Sequence, residues 1–397
     1  MKYILNKKKS PIGQNFSKNN FRIYSIYFIL LLVVLNGNLN GQNIVPIKVC
    51  DFPAELNETS GLVKIAPNKF VTHTDSGNEP KLFVFDSSGL VQRRIKVSNA
   101  TNVDWEDMTM DTKGNLYIGD FGNNNNDRKD LRIYTVASPN TYTKDSTVAG
   151  ITNFTYPDQN AFPPLAPFLN FDMEAFLWFN DSLYLFTKNR TNPYNGYTKC
   201  YQLPARSGTF VAKLVDSFYT GSGGFLNFSI TGSAIYPNGN KMILLGYDKC
   251  WLFGNFNGRY FFKGLVNTLS FPSISQKEGI WFENTQNAWY TQENSILGTA
   301  GLYRFTIPPI TPNSIKEYLK KNFKIYQNPS ERLLCIEVSD EVAEPAMLLD
   351  IINVEGKVSL RGELEPQMVN KIDISSLQIG TYLIRINGRH AGKFIKE

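Results

Sequence analysis

One unit of sequence recurs five times: SGLVKIAPNKFVTHTDSGN at 60–78, EDMTMDTKGNLYIGDFGNN at 106–124, EAFLWFNDSLYLFTKNR at 174–190, GSAIYPNGNKMILLGYDK at 232–249 and EGIWFENTQNAWYTQEN at 278–294. Each copy is an apolar strand, a short polar turn rich in Asn, Asp, Gly or Lys, and a second strand heavy in aromatic and aliphatic residues, which is the pattern of a β-hairpin. A third strand follows every copy (KLFVFD, LRIYTV, TKCYQL, CWLFGNF, GLYRFTI), and a fourth follows the first four (VQRRIKV, STVAGITNFTY, FVAKLVDSF, GLVNTLSF). The fifth copy has no fourth strand after it, and IVPIKVCDF at 44–52 can supply one from the other end of the chain. The copies start 46, 68, 58 and 46 residues apart, with the longest interval taken up by the proline-bearing loop PDQNAFPPLAPF at 157–168. Repeats at this period fold as propellers or solenoids. The expectation is an all-β chain: a β-propeller of five four-stranded blades over residues 42–310, or six if a degenerate unit is present, with little helix.

Aligning the first strands places Ser60, Glu106, Glu174, Gly232 and Glu278 at one equivalent position. The first strand of each propeller blade lines the central channel, so these residues should converge on one axis. Carboxylates brought together raise one another's pKa or recruit a cation. The ends of the second strands repeat as well: Asp75, Gly77 and Asn78 match Asp120, Gly122 and Asn123, and other copies offer Lys188, Asn189 and Arg190, then Asp248 and Lys249, then Glu293 and Asn294. Because the second strand runs back against the first, both sets belong to one face. Glu106, Glu174 and Glu278 with Asp107, Asp120 and Asp75 are the candidate ligands of a hard cation such as Ca²⁺. Lys188, Arg190, His73 and Asn123 are the candidate contacts to a bound ligand. The alternative is structural: tight turns recruit Asp-Gly and Asn-Gly on their own, and a buried Glu can pair with Lys188 or Arg190 to hold blades together. The run Asn123 to Asn126 with Asp127 is no EF-hand, because the twelfth residue counted from Asp120 is Leu131 where a bidentate Glu is required. His73 is either a general base or a structural strand-end residue. No GxSxG, HExxH or phosphate loop occurs, which argues against serine hydrolase and zinc peptidase chemistry.

The formal charge of +6 is misleading about partners. Lys2, Lys7, Lys8, Lys9, Lys18 and Arg22 all lie in residues 1–41, which hold no acid, so the other 35 basic residues balance 35 acidic ones. With no positive field left on the body, nucleic acid is not an expected partner. The leader continues as IYSIYFILLLVVL at 23–35, short for a membrane span and suited to a secretory signal, with cleavage expected after Gly41. An uncleaved anchor is the alternative, and with cleavage the mature chain has no transmembrane span. Four cysteines without a CxxC are too few for a disulfide scaffold; they are core residues or at most one bridge.

The pieces ETSGL, THTDSG, DWEDMTMD, LYIGDFGNN, LRIYTV, DMEAF and KEGIW, over residues 55–305, are similar to secreted bacterial propellers of the phytase-like and SdiA-regulated types. That resemblance implies acidic rim residues holding Ca²⁺ and a phosphate ester, a role that falls by position to Glu106, Asp107, Glu174 and Glu278. The phytase pattern also has a richly basic pocket, whereas here only Lys188, Arg190 and Lys249 stand out. Residues 311–322 read as a linker. Beyond them, IYQNP at 325–329, IINVEGKV, IDISSLQIGTYLIRI and the terminal strand resemble the type A C-terminal sorting domain of the type IX secretion system, with Gln327 in place of the usual Pro. The resemblance implies a small antiparallel β-sandwich at 323–397 that the export machinery recognises. An adhesive immunoglobulin-like module is the alternative.

Together these readings describe a protein that crosses the inner membrane by the Sec route and then reaches the cell surface or the medium. Its propeller should bind a cation or a small-molecule, glycan or protein ligand. The second hypothesis is a Ca²⁺-assisted esterase or phosphoesterase working at the same rim.

Overall fold

The computed structural model describes residues 42–310, 323–326, 329–339, 347–366, 368–386 and 389–397. The expected signal segment 1–41 and linker 311–322 lie outside the described residues.

Five four-stranded antiparallel sheets succeed one another along the chain. Blade 1 runs Thr59–Ala66, Lys69–Thr74, Lys81–Phe85, Val91–Val97, and blade 2 runs Trp105–Met110, Leu116–Asp120, Arg132–Val136, Gly150–Thr155. Blade 3 runs Asp172–Phe179, Ser182–Lys188, Tyr197–Pro204, Lys213–Tyr219, and blade 4 runs Gly232–Ile235, Lys241–Leu245, Lys249–Gly254, Leu265–Ser270. Blade 5 takes Lys277–Asn284, Asn287–Gln292 and Gly301–Thr306, and its fourth strand is Ile47–Asp51 from the N-terminal side, paired antiparallel with Gly301–Thr306. Each inner strand packs beside the inner strand of the next blade, and the fifth packs beside the first, so the ring is closed. This is a five-bladed β-propeller.

The alternating apolar positions of these strands pack between neighbouring blades. Val63, Val71 and Val84 of blade 1 share a core with Met108, Leu116, Ile118 and Tyr134 of blade 2, and Phe121, Ile133 and Phe154 of blade 2 share one with Phe176, Leu185 and Tyr201 of blade 3. A blade cannot bury both faces alone, so the interblade cores depend on closure. Near the axis the backbones approach so closely that a Cβ has no room at three glycines. One built on Gly61 would lie 2.4 Å from the Met108 nitrogen, one on Gly232 2.0 Å from the Glu278 carbonyl oxygen, and one on Gly279 2.4 Å from the Ser60 carbonyl oxygen.

Three blades gain a fifth strand at the outer edge, parallel to the fourth: Ser146–Thr147 on blade 1, Gly208–Val211 on blade 2 and Gln42–Asn43 on blade 4. Gly208–Val211 corrects the sequence reading, which ran FVAKLVDSF together as blade 3's fourth strand. Phe210 and Val211 cap blade 2 instead, and the fourth strand starts at Lys213. These additions occupy edges that would otherwise present unpaired backbone.

The C-terminal residues form two antiparallel sheets. One contains Phe323–Tyr326, Leu333–Val338 and Val369–Asp373; the other contains Val358–Leu364, Met347–Asn353, Gly380–Ile386 and Arg389–Lys396. Leu334 and Ile336 from the first meet Leu349, Ile351, Ile384 and Phe394 from the second in one core, giving a small sandwich. Within IINVEGKV a hairpin turn spans 353–356, with the Gly356 N–H donating to the Asn353 carbonyl at 3.0 Å and Gly356 at φ +84°. None of the four cysteines takes part in a disulfide. Among the described residues no helix is long and apolar enough to cross a membrane.

Candidate functional site

Four of the five aligned inner-strand residues, Ser60, Glu106, Glu174 and Glu278, line one polar cavity of about 160 Å³. The second-strand ends close its wall with Asp75, Lys188 and Glu293. A local backbone device accompanies this convergence. The inner strands of blades 1, 2, 3 and 5 each slip register by a bulge at the aligned position: Thr59 to Leu62, Trp105 to Met108, Met173 to Ala175 and Lys277 to Ile280. Blade 4 pairs without a slip and contributes only Gly232. A bulge puts two residues opposite one and re-aims a side chain that strict alternation would send into the interblade core.

The carboxylates around the cavity have unequal partners. Glu174 accepts from the Lys188 ammonium at 2.9 Å and lies 3.5 Å from Arg190. Burial works against the Lys188 charge, but Glu174, Tyr247 and Glu278 outweigh it and hold its pKa above the usual lysine value. Lys188 also sits 5.3 Å from the Tyr247 ring and 5.8 Å from the Phe225 ring, which adds a cation–π contribution. Among the described residues no cation forms an ion pair with Glu106, on which Lys188 acts only from further off. Burial first, then Glu174, Asp75 and Asp104, push its carboxyl well above the ordinary range. One oxygen from each of Asp75, Asp104 and Glu106 falls within 4.8 Å of the others. Oxygens on opposite sides of a cation with bonds of about 2.3–2.6 Å are about 5 Å apart, so this spacing suits a hard divalent ion. Gly122 makes the arrangement feasible, because a Cβ there would lie 2.2 Å from Glu106 Oε1 and 2.5 Å from Asp104 Oδ2.

On the other side of the cavity, Glu278 is 5% exposed, and its Oε2 has no hydrogen-bond partner among the described residues. Burial and the neighbouring Glu293 raise its carboxyl well above the usual value. Glu293 accepts from the Gln276 amide and is pushed up to about 8, first by burial and then by Asp75. Asp104 rises to about 7 for the same two reasons in the same order.

Several residues singled out from sequence are not part of the cavity lining. Asp107 is fully buried below the cavity, where its Oδ2 accepts from the Phe176 N–H at 3.1 Å and the Ser233 N–H at 3.3 Å, tying the inner strands of blades 3 and 4 to blade 2. Asp120 accepts from the Asp104 N–H at 3.0 Å and from Arg128 at 3.0 Å, and so holds the 121–131 loop. Asn123 caps that loop: its Oδ1 accepts from the Asp127 and Arg128 N–H groups at 2.9 and 3.0 Å. The neighbouring Asn124 lines the cavity instead. His73 is completely buried with its ring 5.4 Å from Trp105, and its Nδ1 donates to the Thr74 carbonyl at 3.2 Å. Burial lowers its pKa to about 4, so it is a neutral packing residue. Arg190 donates to Asp172 at 2.6 Å and to the side-chain oxygen of the cavity-lining Asn124, and stacks on Phe225 at 4.6 Å.

Sequence reasoning did not select Asp104, Gln276 or Glu293 as site residues. Asp104 stands two residues before Glu106 in the same DWED stretch, and Glu293 ends a second strand as Asp75 does, so position in the repeat was the available signal.

Residues 324–397 match the family of the secretion system C-terminal sorting domain. The chain is thus a β-propeller protein carrying a type IX sorting domain, which directs it to the cell surface or beyond. Among solved structures it is similar to the PQQ-bound form of aldose sugar dehydrogenase from Streptomyces coelicolor, at 9% identity and a TM-score of 0.39, covering 67% of this chain and 99% of that one. It is also similar to a gluconolactonase from Xanthomonas campestris, at 10% identity and a TM-score of 0.37, covering 68% and 88%. Neither likeness reaches a level that bears on the chemistry of this chain. No curated protein shows significant sequence similarity to it.

Proposed function

We propose that the propeller is an exported binding module whose ligand is taken at a divalent cation, Ca²⁺ by the chemistry of its donors, held by Asp75, Asp104 and Glu106. The observation that carries this reading is the three-carboxylate cluster itself, packed within 4.8 Å and with no ion pair to any of the three among the described residues, while Lys188 is paired with Glu174. Like charges at this spacing must either take up protons or accept a cation, and all-oxygen ligation selects a hard ion. The side-chain oxygen of Asn124 on the same wall is taken by the Arg190 guanidinium, so the three carboxylates are the proposed ligands.

A second reading, cation-assisted hydrolysis of an ester, draws on Glu293. A carboxyl held near 8 beside a cation site suits general acid–base work near neutral pH. The two readings separate in one experiment. Calorimetric titration of the mature chain with CaCl₂ should show binding that Glu106→Gln abolishes without unfolding the protein. Calcium-dependent turnover of p-nitrophenyl esters lost in Glu293→Gln would favour the hydrolase. Absence of calcium binding by the parent protein would remove the common basis of both.

A further inference from the structure

Resting on that cation reading, the structure supports a choice of ligand class from the balance of donors and acceptors around the cavity. Three side-chain donors of the wall are engaged, Lys188 with Glu174, Gln276 with Glu293, and the Ser60 hydroxyl with the Glu106 carbonyl, which leaves the amide of the exposed Asn124. With a cation bound, its charge favours the ionised carboxylates, and acceptors then exceed donors. Independently of the acidic cluster, Glu278 presents a carboxyl oxygen that is buried, part of the cavity wall and unpartnered among the described residues. A buried polar atom left without a hydrogen-bond partner is destabilising until a ligand supplies one.

A ligand must therefore offer lone pairs to the cation on one side and protons to Glu278 on the other. A phosphate or carboxylate fulfils the first demand but faces Glu278 and Glu293 with no free side-chain cation. An ammonium fulfils the second but cannot coordinate a metal and would compete with it. A hydroxyl does both at once, and two vicinal hydroxyls chelate a hard cation while keeping both protons for acceptors.

The surroundings fit a ring-shaped polyol. Loop 157–168 leads from blade 2 into the inner strand of blade 3, the short helix Phe225–Phe228 leads into that of blade 4, and residues 293–300 join the second and third strands of blade 5. All three therefore leave from the end of their blades at which the cavity lies. They carry Leu165 at 76% exposure, Phe168 at 63%, Leu226 at 51% and Ile296 at 101%. They offer apolar surface at that end of the propeller, of the kind against which the C–H face of a sugar ring packs. We propose that the ligand is a neutral carbohydrate whose vicinal hydroxyls place their oxygens on the cation and their protons on Glu278.

The test is isothermal titration of the mature chain in CaCl₂ and in EDTA with gluco-, manno- and xylo-oligosaccharides, using glucose 6-phosphate and spermidine as charged probes. Expected is binding of at least one neutral oligosaccharide series in calcium only. Glu278→Gln, which turns an acceptor oxygen into a donor, should weaken it about ten-fold or more while calcium affinity moves much less. Should Glu278→Gln melt early, Glu278→Asp withdraws the carboxyl by one methylene and is expected to lose sugar in the same way. Calcium binding without any neutral saccharide, a preference for glucose 6-phosphate or spermidine, or a sugar affinity unmoved by both Glu278 variants overturns the inference and leaves the cation reading standing. Failure of the parent protein to bind calcium overturns both.

Discussion

Glu106 and Glu174 occupy equivalent positions on neighbouring inner strands and are both buried, yet only Glu174 is met by an ammonium. That difference makes one a packing ion pair and leaves the other to Asp75 and Asp104. Asp104→Asn should therefore lower calcium affinity by about ten-fold or more, equivalent to about 1.4 kcal/mol, measured by calorimetry. The same crowding sets a pH dependence. Asp104 moves from 3.8 to about 7 and Glu293 from 4.5 to about 8, so the folded state holds more protons than the unfolded chain between those values. Stability is then lost as pH rises through this window. His73 acts oppositely, since its fall from 6.5 to about 4 contributes stability above pH 6.5 that is lost on acidification. With the carboxyls dominant, the metal-free protein should melt higher at pH 6 than at pH 8.5, and calcium should raise the melting temperature more at pH 8.5 than at pH 6. A flat profile in EDTA would contradict the carboxyl crowding. Asp107→Ala strands three buried N–H groups, those of Met108, Phe176 and Ser233, at about 1–3 kcal/mol each, and should cost about 3 kcal/mol or more in urea unfolding while calcium affinity moves little.

Hairpins were the elements most legible in the sequence, because period-two alternation and Asn- or Gly-bearing turns are local signals. The closing of blade 5 by residues 44–52 was legible too, since the fifth copy lacked a strand and the N-terminal side had one to spare. Less visible was the role of four-residue pieces such as Gly208–Val211, because alternation says that a segment is a strand but not which edge it joins. The inner-strand bulges escaped for the same reason: the residues of WED and MEA look like any others in a strand until their pairing partners are known. Two predictions belong here. Removing residues 42–51 strips the fourth strand from blade 5 and the parallel edge from blade 4, so unfolding should lose its cooperativity and the calcium-induced rise in melting temperature should vanish. Gly232→Ala forces a methyl to within 2.0 Å of the Glu278 carbonyl oxygen, and overpacking of this kind costs about 1–3 kcal/mol. It should also perturb calcium binding little, because blade 4 supplies no carboxylate to the cluster.

For the molecule as a whole, the sorting sandwich addresses the chain for export, and ligand recognition falls to the propeller in the proposed function. A chain ending at residue 310 should accumulate inside the cell envelope while the full chain is found outside, as read by cell fractionation and immunoblotting. The amino-acid sequence by itself determined the all-β class, the number of hairpin units, the export address and the fact that acidic residues recur at one place in the unit, because all of these are written in short-range pattern. Only the tertiary structure decided which of those acids act together. Asp75, Asp104 and Glu106 meet across the boundary of two blades, whereas Asp107 and Asp120, from the same short stretch, are consumed by backbone N–H groups and Arg128. Proximity in a closed ring depends on how five inner strands curve round an axis, and the pairing of a carboxylate with a cation depends on distances that sequence separation does not encode.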